Sequence, residues 1–426
     1  MNSLNYLVPS LCGRAYLYSN RVSVSSRIVA TLTVHLKTDV LRQALLESMR
    51  RFPQIAVGAV VENGCYMFRP LQEEPQVFDE GSPSDPTSFS DPALKGYLFK
   101  VSCRFKSIIF DFHKSIADEF GMMSFAKSVI FRYLELDGYP VVNDGSVKLL
   151  SGTYFTAEGM DPMERMMELT ASKPVWYMEA DAVRPAVSDG PREEVVQVRI
   201  PVGKLKSGFD QFQKTPVTYI APIFSQAVTD ILGPEILQGK YVVASIQVNL
   251  RPYFPAASLR PFRAPVYLAY NRKITDYPFS TVLMSQKKLL EAQLMPDALA
   301  WCAQHLEKTV SSAVDSGNDL DERRQKVNEM FGCMSDKSTY SVCRVGNMVF
   351  PESMQRLVSE FYPVIPADTQ AYSLSVIVYR SEIVVTVSGI NEVVPCCRRF
   401  VERLSECDID AYISDTYTYT PMSGLN

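Results

Sequence analysis

The chain has 426 residues, of which 46% are hydrophobic, and a formal net charge of -4 at pH 7. This length exceeds what one ordinary hydrophobic core requires, so we expect two domains. Acidic and basic residues are mixed throughout without a basic block, which argues against nucleic-acid binding. The sequence has neither an apolar run long enough to cross a bilayer nor a charged and apolar leader after Met1, so we expect a cytoplasmic protein without a membrane span.

The cysteines and histidines limit the chemistry that the chain can perform. The nine cysteines are odd in number and are not spaced as zinc ligands are, so we expect reduced, mostly buried thiols and no metal site. A nucleophilic Cys333 or Cys343 would need a histidine nearby in space, and the chain has three histidines. His35 falls in the exposed phase of a predicted strand and His305 in a predicted helix, so neither is assigned a role. We therefore do not expect thiol chemistry, and a lone histidine at a strand end, such as His113, is more often structural than catalytic.

The first part of the chain predicts a strand, a helix and a hairpin in that order. Residues 27–36 alternate apolar and polar side chains as a half-buried strand does, and Thr38 is a suitable N-cap for the helix that follows. Asn63 and Gly64 favour the positive φ angles of a type I′ turn, and residues 71–94 have the composition of a surface loop. Further strands are predicted at residues 56–61, 65–68 and 97–112, and helices at residues 39–51 and 120–136.

Regular periodicity fades between about residues 151 and 194, where several prolines break the pattern, and such a stretch is typical of a connection between domains. We therefore predict an N-terminal domain at residues 1–175 and a C-terminal domain at residues 176–426. In the second of these, strands are predicted at residues 193–200, 241–250, 372–379, 382–388 and 411–414, and helices at residues 222–232, 279–314 and 393–407.

Three segments resemble the signatures of a known superfamily. Residues 41–53 (LRQALLESMRRFP) form a helix that ends in Arg-Phe-Pro, residues 113–121 (HKSIADEFG) lie where a strand turns into a helix, and residues 248–255 (VNLRPYFP) end a buried strand. In this order they resemble the opening helix, the HHxxxDG motif and the Asn-Leu-Arg strand end of the alcohol O-acetyltransferase and condensation-domain superfamily. The final hairpin, helix and strand are also similar, so the resemblance covers most of the chain.

The resemblance implies an α/β fold of the α+β two-layer type, with two chloramphenicol-acetyltransferase-like domains and a tunnel between them. In that family a coenzyme A thioester, or a thioester on the phosphopantetheine of a carrier protein, meets a small alcohol or amine in the tunnel. The second histidine of the motif is the general base, and its usual pKa of about 6.5 suits proton transfer near neutral pH. The implied reaction transfers the acyl group directly, without a metal.

The chain departs from this motif at the catalytic position. Counting back from Asp118, Lys114 stands where the family has its catalytic histidine, and His113 stands on the first, non-catalytic histidine. Glu119 replaces the glycine that follows the aspartate. An ordinary lysine, with a pKa of about 10.4, is almost entirely protonated at neutral pH and is therefore a poor general base.

The remaining motif residues are assigned structural roles by the resemblance. Asp118 is expected to form an ion pair with Arg251, which follows Asn249 at the end of a buried strand, and Gly121 agrees with the family pattern. Asp118 also stands at the predicted start of a helix, where a carboxylate binds unpaired backbone N–H groups. Helix capping alone would therefore account for this aspartate.

Three hypotheses follow for residues 113–121. In the first, His113 is the base, although the alternation of side chains along a strand places it on the opposite face from Lys114. In the second, Lys114 is a desolvated base in a dry pocket. In the third, the site does not catalyse, and the fold binds a thioester, a lipid-like molecule or a protein. The sequence leaves all three open.

Overall fold

The computed structural model of the chain describes residues 7–152, 156–174, 181–185, 192–205, 215–233, 239–270 and 277–425. Within these ranges the chain forms two large β-sheets, a separate hairpin and ten α-helices. The strands are β1 (Ser25–Leu32), β2 (Val57–Glu62), β3 (Cys65–Pro70), β4 (Val77–Asp79), β5 (Phe99–Arg104), β6 (Ser107–His113), β7 (Glu193–Pro201), β8 (Val242–Asn249), β9 (Arg263–Tyr270), β10 (Tyr340–Met348), β11 (Val358–Val364), β12 (Tyr372–Tyr379), β13 (Glu382–Gly389) and β14 (Tyr412–Tyr419). The helices are α1 (Ala15–Tyr18), α2 (Thr38–Met49), α3 (Glu119–Leu136), α4 (Pro162–Met167), α5 (Val217–Leu232), α6 (Phe279–Gln293), α7 (Pro296–Asp315), α8 (Leu320–Ser335), α9 (Glu352–Gln355) and α10 (Val393–Glu406).

The first sheet has five strands in the order β11-β1-β6-β5-β4, and all neighbours are antiparallel except β4 and β5. Helices α2 and α3 pack against each other beside it. Phe125 of α3 lies in the middle of an aromatic cluster, with its ring centroid 5.3 Å from that of Phe52 and 5.9 Å from that of Phe112. Burial of these rings fixes α3 on the sheet, because each large aromatic side chain removes extensive apolar surface from water.

The second sheet has seven strands in the order β14-β7-β13-β12-β10-β8-β9. Strand β10 is parallel to both of its neighbours, and the other pairs are antiparallel. Helices α5 and α10 pack against each other and against this sheet, and Phe224 joins them through edge contacts with Tyr340 and Phe400. The chain thus has a second hydrophobic core of its own.

One strand connects the two halves of the chain. Strand β11 follows β10 of the second sheet in sequence, but it pairs with β1 as the edge strand of the first sheet, with Arg27 opposite Val364. Pro363 lies within it, and an edge strand tolerates a proline because one side of it needs no ladder hydrogen bonds. The division at residues 175 and 176 stays a prediction.

The predicted N-terminal elements are present, with shifted ends. Helix α2 already begins at Thr38, so its N-cap is Lys37 and the predicted capping role of Thr38 is wrong. Asn63 and Gly64 have φ angles of 51° and 74°, which confirms the hairpin turn. The single strand predicted at residues 97–112 is two antiparallel strands, β5 and β6, because the chain reverses at Phe105, whose φ is 54°.

The C-terminal half contains elements that the sequence did not predict, namely β9, β10, β11, α8 and α9. The long helix predicted at residues 279–314 is two helices, since Pro296 starts a new one. Helix α5 begins at Val217, five residues before the prediction, and contains Pro222 in its interior. Eleven buried residues along α5 provide the tertiary packing that tolerates this proline.

Candidate functional site

A cavity of about 190 Å³, the central cavity, lies between residues of the two halves of the chain. Lys114 and Glu119 line it from the N-terminal half, and Arg263 and Asp368 from the C-terminal half. Strand β6 ends at His113 and helix α3 begins at Glu119. We call residues 113–121, which resemble the superfamily motif, the motif segment; four of them, Lys114, Ala117, Asp118 and Glu119, line this cavity.

His113 is fully buried and is not among the residues that line the central cavity. Its Nδ1 accepts the Ser115 N–H at 3.2 Å and lies 2.6 Å from Ser115 Oγ, so the ring proton is on Nε2. Nε2 has no hydrogen-bond partner among the described residues, and the ring packs edge-on against Phe89 with centroids 5.2 Å apart. Burial, assisted by the charge of Lys114, lowers the pKa of His113 to about 3. The imidazole is therefore a neutral group of the core.

Lys114 lines the central cavity, as strand alternation predicts for the neighbour of a buried residue. Its ammonium donates to the Ser23 carbonyl at 2.8 Å and to Asp368 Oδ2 at 3.4 Å. The Nζ atom also lies 5.5 Å from the centre of the Tyr16 ring, within the range of a cation–π contact. Three groups thus hold the lysine side chain in one place.

Two carboxyl groups lie near this ammonium. Asp368 Oδ1 accepts the Ser23 N–H at 2.5 Å, and burial raises the pKa of Asp368 while the charge of Lys114 opposes the rise. Glu193 accepts the Ala367 N–H, and burial, with some contribution from Asp368, raises the pKa of Glu193 to about 7. The charge of Lys114 also opposes this second rise. An ionised lysine therefore stabilises the ionised forms of both carboxyl groups.

Asp118 caps helix α3 and joins the two halves of the chain. Its Oδ1 accepts the Gly121 N–H at 3.1 Å, and its Oδ2 accepts the Phe262 N–H at 3.0 Å and Arg251 Nη1 at 2.6 Å. The predicted ion pair with Arg251 is present, with both side chains buried. The carboxylate performs the capping role and the pairing role together.

Arg251 has acceptors for each of its guanidinium nitrogens. Nε donates to the Ser258 carbonyl at 2.9 Å, Nη2 to the Arg260 carbonyl at 2.6 Å, and Nη1 also to Asn249 Oδ1 at 3.2 Å. The guanidinium stacks on the Phe120 ring at 4.6 Å. Asn249 lies at the end of β8, so its amide orients the arginine that follows it in the chain.

Gly121 has a packing reason to be glycine. A Cβ atom on this residue would lie 2.1 Å from the Leu259 carbonyl oxygen and 3.0 Å from Ala117 Cβ. Leu259 is next to the two carbonyl groups that bind Arg251, so the first turn of α3 lies directly against that loop. Any larger side chain would push helix α3 away from the loop that contains Leu259, in the C-terminal half of the chain.

Glu119, the residue that replaces the motif glycine, forms a second ion pair across the interface. Its carboxylate contacts the guanidinium of Arg263 at the start of β9. The Sγ of Cys343 lies 3.4 Å from Arg263 Nη1 and 3.6 Å from Glu119 Oε2. Burial raises the pKa of Cys343, which argues against a nucleophilic thiolate at this position.

The other sequence predictions concern features outside the motif segment. None of the nine cysteines forms a disulfide; four are buried, four are partly buried and Cys333 is exposed, which agrees with the expectation of mostly buried thiols. Among the residues that the structure describes, no group of His, Cys, Asp and Glu side chains is arranged to hold a metal ion. The described helices include none with the length and apolar character that crossing a membrane requires.

Sequence reasoning missed Tyr16, Arg263 and Asp368, which complete the surroundings of the motif segment. Each lies far from residues 113–121 in the chain and reaches them only through the fold. Asp368 has a positive φ of 60°, a conformation that aspartate adopts more readily than most residues, but the sequence around it carries no motif. No signal in the sequence identifies these partners.

Comparison with known proteins shows structural likeness without close sequence similarity. No family model and no curated protein matches the chain. The structure of F. sporotrichioides TRI101 complexed with coenzyme A and T-2 is 11% identical, with a TM-score of 0.59, and the match covers 96% of this chain and 99% of that one. Polyketide synthase associated protein 5 from Mycobacterium tuberculosis is 12% identical, with a TM-score of 0.62, and the match covers 95% and 97%.

A third similar structure is the epimerization domain from the third module of tyrocidine synthetase B, which is 10% identical, with a TM-score of 0.58 and coverage of 95% of this chain and 96% of that one. The chain therefore shares the fold of these three proteins over nearly its whole length, an α/β fold of two chloramphenicol-acetyltransferase-like domains. The resemblance predicted from the sequence is confirmed at the level of the fold.

Proposed function

We propose that this protein binds a compact acyl group, carried by a thioester or a lipid-like molecule, in the central cavity without transferring it by the histidine mechanism. One observation carries the proposal: Lys114 lines the central cavity, and His113 does not. The acyltransferase fold provides a site between two halves of the chain. The altered motif leaves that site without its expected base.

The surroundings of His113 argue against its use as a general base. Such a base must lie within hydrogen-bond reach of the proton that it removes. His113 is fully buried, its Nδ1 is engaged by Ser115, and its ring is packed against Phe89. An acceptor in the central cavity would not reach either ring nitrogen unless strand β6 shifted.

The surroundings of Lys114 argue against this residue as well. A lysine becomes a base when a dry and uncharged pocket removes its proton. The pocket around Lys114 does not have this character, because Asp368 lies 3.4 Å from the ammonium and the Ser23 carbonyl and the Tyr16 ring also contact it. These contacts occupy the ammonium, and an ammonium group has no lone pair to accept a proton.

The lining of the central cavity suggests the chemistry of the ligand. The lining combines apolar side chains with hydroxyl, amide and charged ones, a combination that suits an acyl chain with a polar carbonyl end. The apolar residues include Ala15, Leu306, Val310, Met330, Phe331 and Met334, the uncharged polar ones include Ser245, Gln247, Ser341 and Gln370, and the charged ones are Lys114, Asp118, Glu119, Arg263 and Asp368. The volume of about 190 Å³ falls below the roughly 300 Å³ at which drug-sized sites begin, which favours a short acyl group.

Coenzyme A thioesters are the first ligands to examine, because the crystal structures of TRI101 contain coenzyme A. A thioester on the phosphopantetheine of a carrier protein presents the same acyl chemistry on a protein tether. Isothermal titration calorimetry with acetyl-coenzyme A tests binding, and liquid chromatography of free coenzyme A after incubation with small alcohols and amines tests transfer. We expect binding and no protein-dependent release of coenzyme A.

Acyl transfer with Lys114 as the base is the second candidate, and the position of this lysine on the cavity wall favours it. Release of coenzyme A by the wild-type chain that is lost in Lys114→Met, but kept in the control Lys37→Met, would replace our proposal with this one. Lys37 is a suitable control because its side chain is 67% exposed. A Lys114→His variant that gains release would indicate that the rest of the acyltransferase site is intact.

A further inference from the structure

A second, smaller cavity lies beside the central cavity and shares part of its wall. This side crevice has a volume of about 10 Å³, enough for about one water molecule, and it is lined by Cys343 and Arg344 among other residues. Four residues line both spaces, namely Asp118, Glu119, Gln247 and Arg263. The two cavities are therefore neighbours, and the shared residues separate them.

Two of the shared residues carry opposite charges and contact each other across the wall. Glu119 is 4% exposed and comes from the first turn of α3, whereas Arg263 comes from the first position of β9 in the other half. A buried charge is stable only when it is paired, so each side chain holds the other in place. We call this pair the bar.

The frame on both sides of the bar is rigid. Arg263 lies opposite Asn249 in the β8–β9 ladder, and Cys343 lies opposite Gln247 in the β8–β10 ladder. On the other side, the residue before Glu119 is fixed by the ion pair of Asp118 with Arg251. The backbone at both ends of the bar is therefore held in place.

We infer that the bar of Glu119 and Arg263 closes the central cavity on the side of the crevice and thereby limits its ligand to a short acyl group. The superfamily motif that the segment resembles has glycine at the position of Glu119, and glycine has no side chain to span the wall. The nature of the ligand rests on the proposed function, whereas the closure rests on the ion pair and the two cavities alone.

Cys343 reports whether the bar is closed, because its Sγ contacts both members of the bar from the crevice. Alkylation of the folded protein with iodoacetamide, followed by peptide mass spectrometry, measures its accessibility. We expect slow labelling of Cys343 in the wild type and labelling at least about tenfold faster in Glu119→Gly/Arg263→Ser, since local access governs the rate. This double variant removes both charges together and leaves no unpaired charge in the wall.

Three controls separate opening of the bar from other causes of labelling. Cys333 is exposed and should label equally in all variants, whereas Cys396 is fully buried and should stay unlabelled unless the protein unfolds. Glu119→Gln removes the charge beside the thiol but keeps the bulk of the side chain and an amide oxygen that still accepts a hydrogen bond from Arg263, so Cys343 should label less than about threefold faster than in the wild type. Equal labelling of Cys343 in the wild type and a folded double variant would overturn the inference. Equally fast labelling in Glu119→Gln and the double variant would also overturn it.

Ligand length provides a second and independent readout. Calorimetry should show that the double variant gains affinity for octanoyl-coenzyme A relative to acetyl-coenzyme A, compared with the wild type. If no acyl-coenzyme A binds either protein while the labelling of Cys343 behaves as expected, the proposed ligand is wrong, but the closure of the cavity wall by the bar is supported. If acetyl-coenzyme A binds the wild type but opening the wall leaves the length preference unchanged, the bar does not set ligand length.

Discussion

The two ends of the motif segment differ in how they use the residues that face the other half of the chain. At the helix start, Asp118 accepts from three hydrogen-bond donors, one of which is the buried Arg251. At the strand end, His113 is enclosed in the core, and Lys114 has a single carboxylate at 3.4 Å. The helix start therefore contributes more of the contacts that join the two halves at this segment than the strand end does.

This comparison predicts that stability depends more on the helix start than on the strand end. The largest effect should come from Arg251→Met, which leaves Asp118 buried with no cationic partner. We expect the free energy of unfolding to fall by about 3 to 5 kcal/mol, the usual cost of breaking one side of a buried ion pair. Urea unfolding followed by circular dichroism measures this loss.

The matched control for that variant is Arg399→Met on helix α10. Arg399 pairs with Asp230 at the surface, and Arg403 contacts the same carboxylate and remains after the substitution. Its loss should therefore cost less than about 1 kcal/mol. Equal losses in both variants would show that the pair of Asp118 and Arg251 has no special part in joining the halves.

The second prediction concerns the packing of the same helix start. Gly121→Ala would bring a Cβ atom within 2.1 Å of the Leu259 carbonyl oxygen. Because the obstacle is backbone, the helix or the loop must move, and we expect a loss of about 3 kcal/mol in the free energy of unfolding. Gly203→Ala is the control, since no atom lies within 4 Å of its added Cβ. If both alanine variants unfold at the same urea concentration, the close approach of α3 to the loop is not maintained in solution.

The helix start was also the part of the site that the sequence could predict. Asp118 stands at a local helix-capping position, and Arg251 follows an apolar strand, so local patterns and the resemblance together identified the pair. The strand-end environment depends on Ser23 and Asp368, which the fold brings from opposite ends of the chain. Such long-range partners leave no local pattern, and a single sequence does not reveal them.

The same distinction between local and long-range signals applies to the fold. The hairpin turn at Asn63 and Gly64 was predictable because two adjacent residues determine its backbone angles. Strand β11 was missed because its partner β1 lies more than 300 residues earlier in the chain, and because Pro363 weakens its strand pattern. The position of β11 is determined by the tertiary fold, in which β11 pairs with β1 at the edge of the first sheet.

The third prediction tests the burial of His113 through the pH dependence of stability. The pKa of this histidine is lowered to about 3 by burial, whereas an unfolded chain has a value of about 6.5. The unfolded state therefore binds the proton first, and the stability contributed by the neutral ring is lost as pH falls from the unfolded value toward the folded one. Between about pH 7 and pH 5 this linkage removes about 2 kcal/mol.

A His113→Gln variant isolates this contribution. Glu193, with its pKa raised to about 7, takes up a proton in the folded state over the same pH range and stabilises the fold in the opposite direction. The contribution of Glu193 is the same in the wild type and in His113→Gln. The urea midpoint of the wild type minus that of the variant, measured at pH 7 and again at pH 5, therefore reports His113 alone. A difference that does not change with pH would place the ring in contact with solvent, and His113 would again become a candidate base.

The smallest effect should come from the strand end itself, through the pair of Lys114 and Asp368. A double-mutant cycle with Lys114→Met and Asp368→Asn should give a coupling energy of about 1 kcal/mol, because both side chains are partly exposed and 3.4 Å apart. Lys114 keeps the Ser23 carbonyl when Asp368 is removed, and Asp368 keeps the Ser23 N–H when the lysine is removed, which limits the cost of each single change. A coupling energy as large as the loss in Arg251→Met would mean that the lysine is a second structural joint between the halves. A coupling near zero would mean that the ammonium is free to move in the central cavity, and catalysis by Lys114 would then gain support over binding alone.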